Sequence, residues 1–435
     1  MLAWRLALVF FVLPLVGVGC DDAATDGGGD CPTTQRPIVF AHGFLASGDT
    51  WALQTQRFHA NGFCRERMVI FDWNTLTDAE ASVGLLDAAI DKALVHSGAS
   101  TVDLVGHSRG GSLGYIYLSD PVRAAKVAHY AHVASGLQTG PAGPVTDPVP
   151  TLNIWSDGDL IISEKGPIPG ATDASLPGLD HYQVATAPGA FKALYTFFVG
   201  SPPATTDIAP TDPVEISGRA LRLGENSVPE GAVVSVFEVD PATGTRLTTE
   251  PAGSWTIGPD GHWGPYAPTP GASIELFMTG PTDSDVPTHT YRTPFLATTE
   301  QVYLRALPTG GSLVGTLLGT IPRDDASATH IVFLASQAAI VGRDTLFAGA
   351  RELSVTEFAS PEQTSIAFFL FDAETDGQDG GAVGLFGALN AFIAGIDTFF
   401  DASGSTSTTF TFNGESQTVP NWPSDRDGFS VVVFE

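Results

Sequence analysis

Between residues 35 and 199, short apolar runs alternate with stretches whose apolar residues recur at helical spacing. Ile38-Val-Phe-Ala, Met68-Val-Ile-Phe, Val102-Asp-Leu-Val, residues 126–133 and Thr151-Leu-Asn-Ile-Trp155 have the length and composition of buried strands. Residues 51–60, 78–96, 111–119 and 188–198 carry the period of a helix. This alternation predicts an α/β unit over residues 36–200, a mostly parallel sheet covered by helices on both faces. Residues 201–213 form a Pro/Thr-rich linker, after which the texture changes. Val233-Val-Ser-Val-Phe-Glu-Val239 alternates strictly, and Gly, Pro and Asp turns separate it from further β-branched and aromatic runs. A β-sandwich is expected over 214–301 and a second β-rich unit over 302–435. One segment breaks that texture. Leu385, Phe386, Leu389, Phe392, Ile393, Ile396, Phe399 and Phe400 recur at helical spacing, which predicts an apolar helix. It would either pack on a sheet or offer its face to lipid or an acyl chain.

The N-terminus sets the expected compartment. Arg5 is the only charge before Asp21, and residues 6–18 are almost wholly apolar, as in a secretory signal peptide over 1–20. The run stops at Gly19-Cys20 and passes into a polar tether over 21–35, a pattern that resembles a bacterial lipoprotein signal. The resemblance implies a lipid anchor on Cys20 that holds the chain at a membrane surface of the cell envelope. An ordinary secreted protein and an uncleaved anchor are the other readings. With Cys20 lipidated, Cys31 and Cys64 remain as an even pair, each ahead of a predicted strand. In an oxidising compartment they can form a disulfide, the alternative being two buried thiols.

Composition narrows the function classes. The chain has 435 residues, 48 of them acidic and 20 basic, for a net charge of −28. Such a surface repels polyanions, so no nucleic-acid partner is expected. A hydrophobic content of 43% against 16% charged residues argues against a disordered chain. No apolar run after the first is long enough to suggest a polytopic membrane protein. Three cysteines give no zinc-like spacing, and nothing in the sequence sets an oligomeric state.

Chemistry concentrates in a few short segments. Thr101-Val-Asp-Leu-Val105 runs into Gly106-His107-Ser108-Arg109-Gly110, a G-x-S-x-G pattern placed after a buried strand and before a helix. There a sharp turn would lift Ser108 to the carboxyl edge of the sheet, and side chains at positions 106 and 110 would clash in the strand–helix crossing. His107 is expected to point away beside the nucleophile. A carboxylate should follow a later strand, and Ser156-Asp157-Gly158-Asp159 offers two, Asp157 and Asp159. A histidine should come last, in a loop before a helix. His181, within Gly178-Leu179-Asp180-His181-Tyr182, is the only histidine between His132 and His262. The order Ser, Asp, His is that of the α/β-hydrolases.

At this point residues 36–199 resemble a compact α/β-hydrolase of the triacylglycerol lipase type. Arg36-Pro-Ile-Val-Phe-Ala-His-Gly-Phe-Leu-Ala-Ser-Gly-Asp-Thr-Trp51 and Gly178-Leu-Asp-His-Tyr-Gln-Val184 carry the likeness. The whole chain is similar, more loosely, to lipases whose hydrolase domain precedes a β-rich C-terminal region that helps bind lipid. The resemblance implies an oxyanion hole from the backbone N–H groups of Phe44, after His42-Gly43, and Arg109. Matched to the Ser-x-x-Asp turn of small bacterial lipases, Asp159 is the acid and Asp157 an exposed turn residue. It implies ester hydrolysis, most simply of acylglycerols, through an acyl-enzyme on Ser108 with no required cofactor. The competing readings are a polyester depolymerase or short-chain esterase, and a surface-binding lipoprotein with an inactive hydrolase fold. Asp372-Ala-Glu374-Thr-Asp376-Gly377 has the opening spacing of a calcium loop, with Asp379 nearby, but Val383 stands where a bidentate Glu is wanted. A structural Ca²⁺ or a plain acidic turn are both open.

Overall fold

A computed structural model of the chain describes residues 31–32, 34–282, 284–308, 311–387 and 392–435. It divides into two compact units, Met1–Pro32 and Thr33–Glu435. The expected signal and most of the tether, Cys20 included, lie outside the described residues. Cys31 and Cys64 are each disulfide-bonded. Among the described residues no helix is long and apolar enough to cross a membrane.

The first layer system is α/β. Strands β1 (Ile38–Ala41), β2 (Met68–Phe71), β3 (Val102–His107), β4 (Val127–Val133), β5 (Thr151–Trp155) and β6 (Thr172–Ser175) form one sheet in the order β2-β1-β3-β4-β5-β6. Every neighbouring pair is parallel. Helices α1 (Ala52–Ala60), α2 (Ala79–Ser97), α3 (Arg109–Leu118) and α4 (Pro121–Ala124) lie in the crossovers from β1 to β4, and α5 (Gln183–Thr186) and α6 (Pro188–Val199) follow β6. Two apolar cores lie on opposite faces of the sheet. Val39, Leu104 and Tyr130 pack with Leu86 and Leu113 on one, and Phe40, Val105 and Ile154 with Phe58 and Phe191 on the other. Burial on both faces is why these strands read as continuous apolar runs. This is the α/β-hydrolase arrangement, with β3 near the middle of the sheet and its carboxyl end opening into the turn at Ser108. The exposed edge strand β6 had no apolar signal to announce it.

The β-rich region differs from the two separate units expected. Strands β7 (Ile216–Arg222), β8 (Val233–Val239), β9 (Gly253–Thr256), β10 (His262–Tyr266), β11 (Ser273–Thr279), β12 (Thr288–Arg292) and β13 (Thr299–Ala306) come from its first part. β14 (Thr329–Leu334), β15 (Leu346–Ala348), β16 (Arg351–Glu352), β17 (Ala367–Phe371), β18 (Ile393–Asp397), β19 (Ser407–Phe412), β20 (Glu415–Pro420) and β21 (Phe429–Phe434) follow. They mix in one eight-stranded sheet, β18-β17-β14-β21-β12-β11-β8-β9, flanked by the smaller sheets β10-β7-β13 and β16-β15-β19-β20. The boundary expected at residue 301 falls inside β13, and the last strand, β21, pairs with β12 on one side and β14 on the other. Ile216, Trp263 and Leu304 pack against Val236 and Leu276 in the first sandwich, while Phe410 and Val419 pack against Val332 and Phe368 in the second.

The apolar helix is not formed. Only the single turn α8 (Gly384–Gly387) is helical, while Ile393–Asp397 is strand β18, parallel to β17; residues 388–391 lie outside the described residues. Ala394 and Ile396 face one core and Ile393 the other. A strand covered on both sides loses its period of two, so its apolar residues mimic helical spacing. Gly395 also fits only as glycine, because a Cβ there would stand 2.6 Å from the Phe386 ring. The acidic loop spends its carboxylates on the backbone: Asp372 accepts from Asp376 N at 3.2 Å and Gly377 N at 2.9 Å. Among the described residues Asp372, Glu374 and Asp376 do not gather within 4.8 Å of one another.

Three buried histidines make folding pH-dependent. Burial holds His107 at about 3 and His132 and His330 at about 4, below the ordinary 6.5. Between about pH 6.5 and these values the unfolded chain binds protons that the native rings refuse, so stability falls as pH falls. Chemical denaturation at pH 7, 6 and 5 should show this loss. His330→Gln, which can keep a bond to Asn421, should flatten the slope by up to one proton.

Candidate active site

Ser108 sits between β3 and α3 at φ 53° and ψ −119°, a conformation that costs a residue with a side chain roughly 1–3 kcal/mol. The fold holds it there from both sides. Its N–H donates to Val133 O at 2.9 Å, and its carbonyl accepts Ser135 Oγ at 2.7 Å. The flanking glycines are required sterically. A Cβ on Gly106 would lie 2.4 Å from Gly110 O, and one on Gly110 would lie 2.5 Å from Ala41 O. Gly43, in the loop after β1, reaches the same spot: its Cβ would stand 2.9 Å from Ser108 Cβ.

Asp159 and His181 are both 1% exposed, and His181 Nδ1 lies 2.8 Å from Asp159 Oδ2. The other carboxylate oxygen accepts Ile161 N at 2.8 Å and Ile162 N at 3.1 Å. Burial raises the Asp159 pKa, but the hydrogen bond and charge of His181, then these two amides, hold it below the usual carboxylate value. Asp157 stays at the exposed turn and accepts Gly178 N. The two candidates are therefore separated by solvation: the carboxylate on the histidine is the buried one.

His107 does not point away from the site. Its ring lies 4.7 Å from that of His181, and its Nε2 donates to the His181 carbonyl at 3.0 Å. Burial keeps this ring neutral. The residue before Ser108 thus holds the backbone of the histidine loop against the turn. Among the described residues Ser108 Oγ itself makes no hydrogen bond with His181, a contact that commonly tightens only when substrate is bound.

The amides of Phe44 and Arg109 donate to no acceptor among the described residues. The Gly43 carbonyl, by contrast, is engaged by Ala46 N at 3.3 Å and by His42 Nδ1 at 2.9 Å. A trans peptide points its C=O and N–H in opposite directions, so these bonds fix the direction of the Phe44 N–H. Arg109 donates to Thr77 O and places its guanidinium 5.8 Å from the centre of the Phe44 ring.

An apolar pocket opens beside these groups. The α/β unit supplies Phe44, Leu45 and Tyr182, and the β-rich region supplies Leu223, Phe333, Phe369 and Phe392 among others. Phe392 stands 6.2 Å from His181 ring to ring. The β-rich region also grips the histidine loop. Buried Asp180 accepts Arg343 Nη2 at 2.7 Å and Ala338 N at 3.2 Å, and Gln183 donates to Gln337. Reading the sequence alone missed these partners, because nothing near Asp180 or Arg343 in the chain signals that they meet.

The chain thus has an α/β-hydrolase arrangement, with a serine on the strand–helix turn and a paired histidine and aspartate beside it. Residues 212–307 match the family model of the lipase C-terminal domain. Among solved structures, lipase B of Aspergillus fumigatus is 13% identical with a TM-score of 0.32, over 42% of this chain and 57% of that one. A Bacillus licheniformis lipase in mature form is 16% identical with a TM-score of 0.31, over 40% and 94%. A Rhodococcus esterase is 14% identical with a TM-score of 0.31, over 39% and 92%.

The contact at Gly43 gives a direct check on the site's geometry. Gly43→Ala should melt at a lower temperature than wild type and, at a temperature where it stays folded, label far more slowly with a fluorophosphonate serine probe, because the added methyl cannot fit without moving Ser108 Cβ and the turn that carries it.

Proposed function

We propose that the protein is a serine hydrolase of carboxylic esters that works through an acyl-enzyme on Ser108. The observation that carries the reading is the strained Ser108 beside a buried His181–Asp159 pair. His181 takes the Ser108 proton as the hydroxyl adds to the ester carbonyl, and Asp159 fixes the tautomer and stabilises the imidazolium. The Phe44 and Arg109 amides hold the oxyanion, where removal of one such donor costs about 3–4 kcal/mol in the usual case. His181 then protonates the departing alcohol and activates water for deacylation. No cofactor enters this sequence.

The apolar pocket favours acyl chains, and so acylglycerols over small soluble esters. Its lining is mostly hydrophobic near Phe44, where the acyl group would leave the oxyanion site. Export and membrane tethering through a lipid on Cys20 complete the reading; the sequence pattern is what supports them.

Ser108→Ala should abolish turnover of a p-nitrophenyl ester while melting as wild type does; near-normal activity would remove the assignment. A profile from C2 to C16 esters should peak at medium or long chains. Ile366→Trp, which fills the pocket, should lower long-chain turnover about tenfold relative to C4. Metabolic labelling with a fatty-acid probe in a bacterial host should tag the full chain but not Cys20→Ser.

A further inference from the structure

We infer that Asn226, on the β7–β8 turn of the β-rich region, is a positioning residue for the oxyanion amide of Phe44. The inference rests on the ester-hydrolase reading of the site. Asn226 adopts φ 54°, within a turn closed by Asn226 N to Arg222 O and Arg222 N to Ser227 O. This turn carries its side chain across into the α/β unit. Nδ2 donates to Ala46 O and to Trp73 O, both at 2.9 Å, and lies 3.2 Å from His42 Nε2. Oδ1 accepts the Ser47 hydroxyl. The orientation of the amide is unambiguous, since a flip would set Oδ1 against two carbonyl oxygens.

These contacts converge on one peptide plane. Ala46 and Ser47 belong to the loop that follows β1, and Trp73 to the loop that follows β2. His42 is fully buried, and burial keeps its ring neutral against the pull of Asp72. A neutral ring that donates from Nδ1 to Gly43 O has Nε2 left as an acceptor, and that atom faces Trp73 N at 3.3 Å and Asn226 Nδ2. With its two N–H groups on Ala46 O and Trp73 O, Asn226 holds the loop directly and the imidazole through Trp73, whose N–H fills the lone pair of Nε2. The imidazole in turn pins the Gly43 carbonyl and with it the direction of the Phe44 N–H. The far end of the same loop is held separately. Gly48 N donates to Asp72, whose other oxygen accepts Arg219 and Tyr303 from the β-rich region. Loss of Asn226 leaves that second tie intact, so the expected defect is misalignment of the amide and not detachment of the loop.

The test uses the full chain with Asn226→Gly, which tolerates the positive φ, and Asn226→Asp, which keeps Oδ1 and the side-chain shape but not the two donors. Reactive serines are counted by titration to endpoint with a phosphonate. Per titrated serine, kcat for an aryl ester should fall about 10- to 100-fold in both variants, as expected for a reacting group displaced by up to 1 Å, with KM within threefold. An alkyl trifluoromethyl ketone, whose carbonyl carbon takes Ser108 Oγ while the proton passes to His181 and the oxygen becomes an oxyanion, should lose affinity in parallel with kcat/KM. If either variant keeps kcat per serine within twofold, or if kcat falls while ketone affinity holds, the positioning role is wrong. If the wild type neither turns over esters nor takes up phosphonate, the hydrolase reading falls and this inference with it.

Discussion

The turn at Ser108 is the constraint around which the rest of the site is arranged. A serine at φ 53° is unfavourable in isolation, and it persists because three neighbouring backbones approach too closely to let it relax. Gly106 and Gly110 lie against each other across the strand–helix crossing, Gly110 lies against the end of β1, and Gly43 lies against Ser108 itself. The same crowding brings the loop after β1, and hence the Phe44 amide, next to the hydroxyl. Both placements share one steric cause.

Solvation then sorts the polar groups. His181 and Asp159 are taken out of water together, which makes their bond count for more than it would at the surface. His107 is buried as a neutral ring and spends its one N–H on the His181 carbonyl. His42 does the same for Gly43. Neutral donors suit this task, because they fix backbone direction without adding a charge beside the His181–Asp159 pair.

The β-rich region is woven into this arrangement. Asn226 reaches the loop after β1, Arg219 and Tyr303 reach Asp72, and Arg343 reaches Asp180 beside His181. Its own strands are interleaved, with β21 closing the gap between β12 and β14. Its Phe333, Phe369 and Phe392 line the pocket. An α/β unit cut free at the linker would lose that wall and all of these supports.

The sequence by itself determined the elements and residues whose signature is local. Strand–helix alternation, the glycines around Ser108 and the late histidine are each imposed by sterics or periodicity among near neighbours, and they appear where the pattern places them. Only the tertiary structure decided the matters that depend on who shares a dry environment. It separated Asp159 from Asp157, turned His107 toward the His181 backbone and made residues 393–397 an edge strand covered on both faces. It also joined the two expected β units through one shared eight-stranded sheet. Asn226 meets Ala46 across 180 positions of chain. A hydrogen bond between groups so far apart leaves no trace in the neighbours of either one, because its strength comes from the shared burial that folding creates.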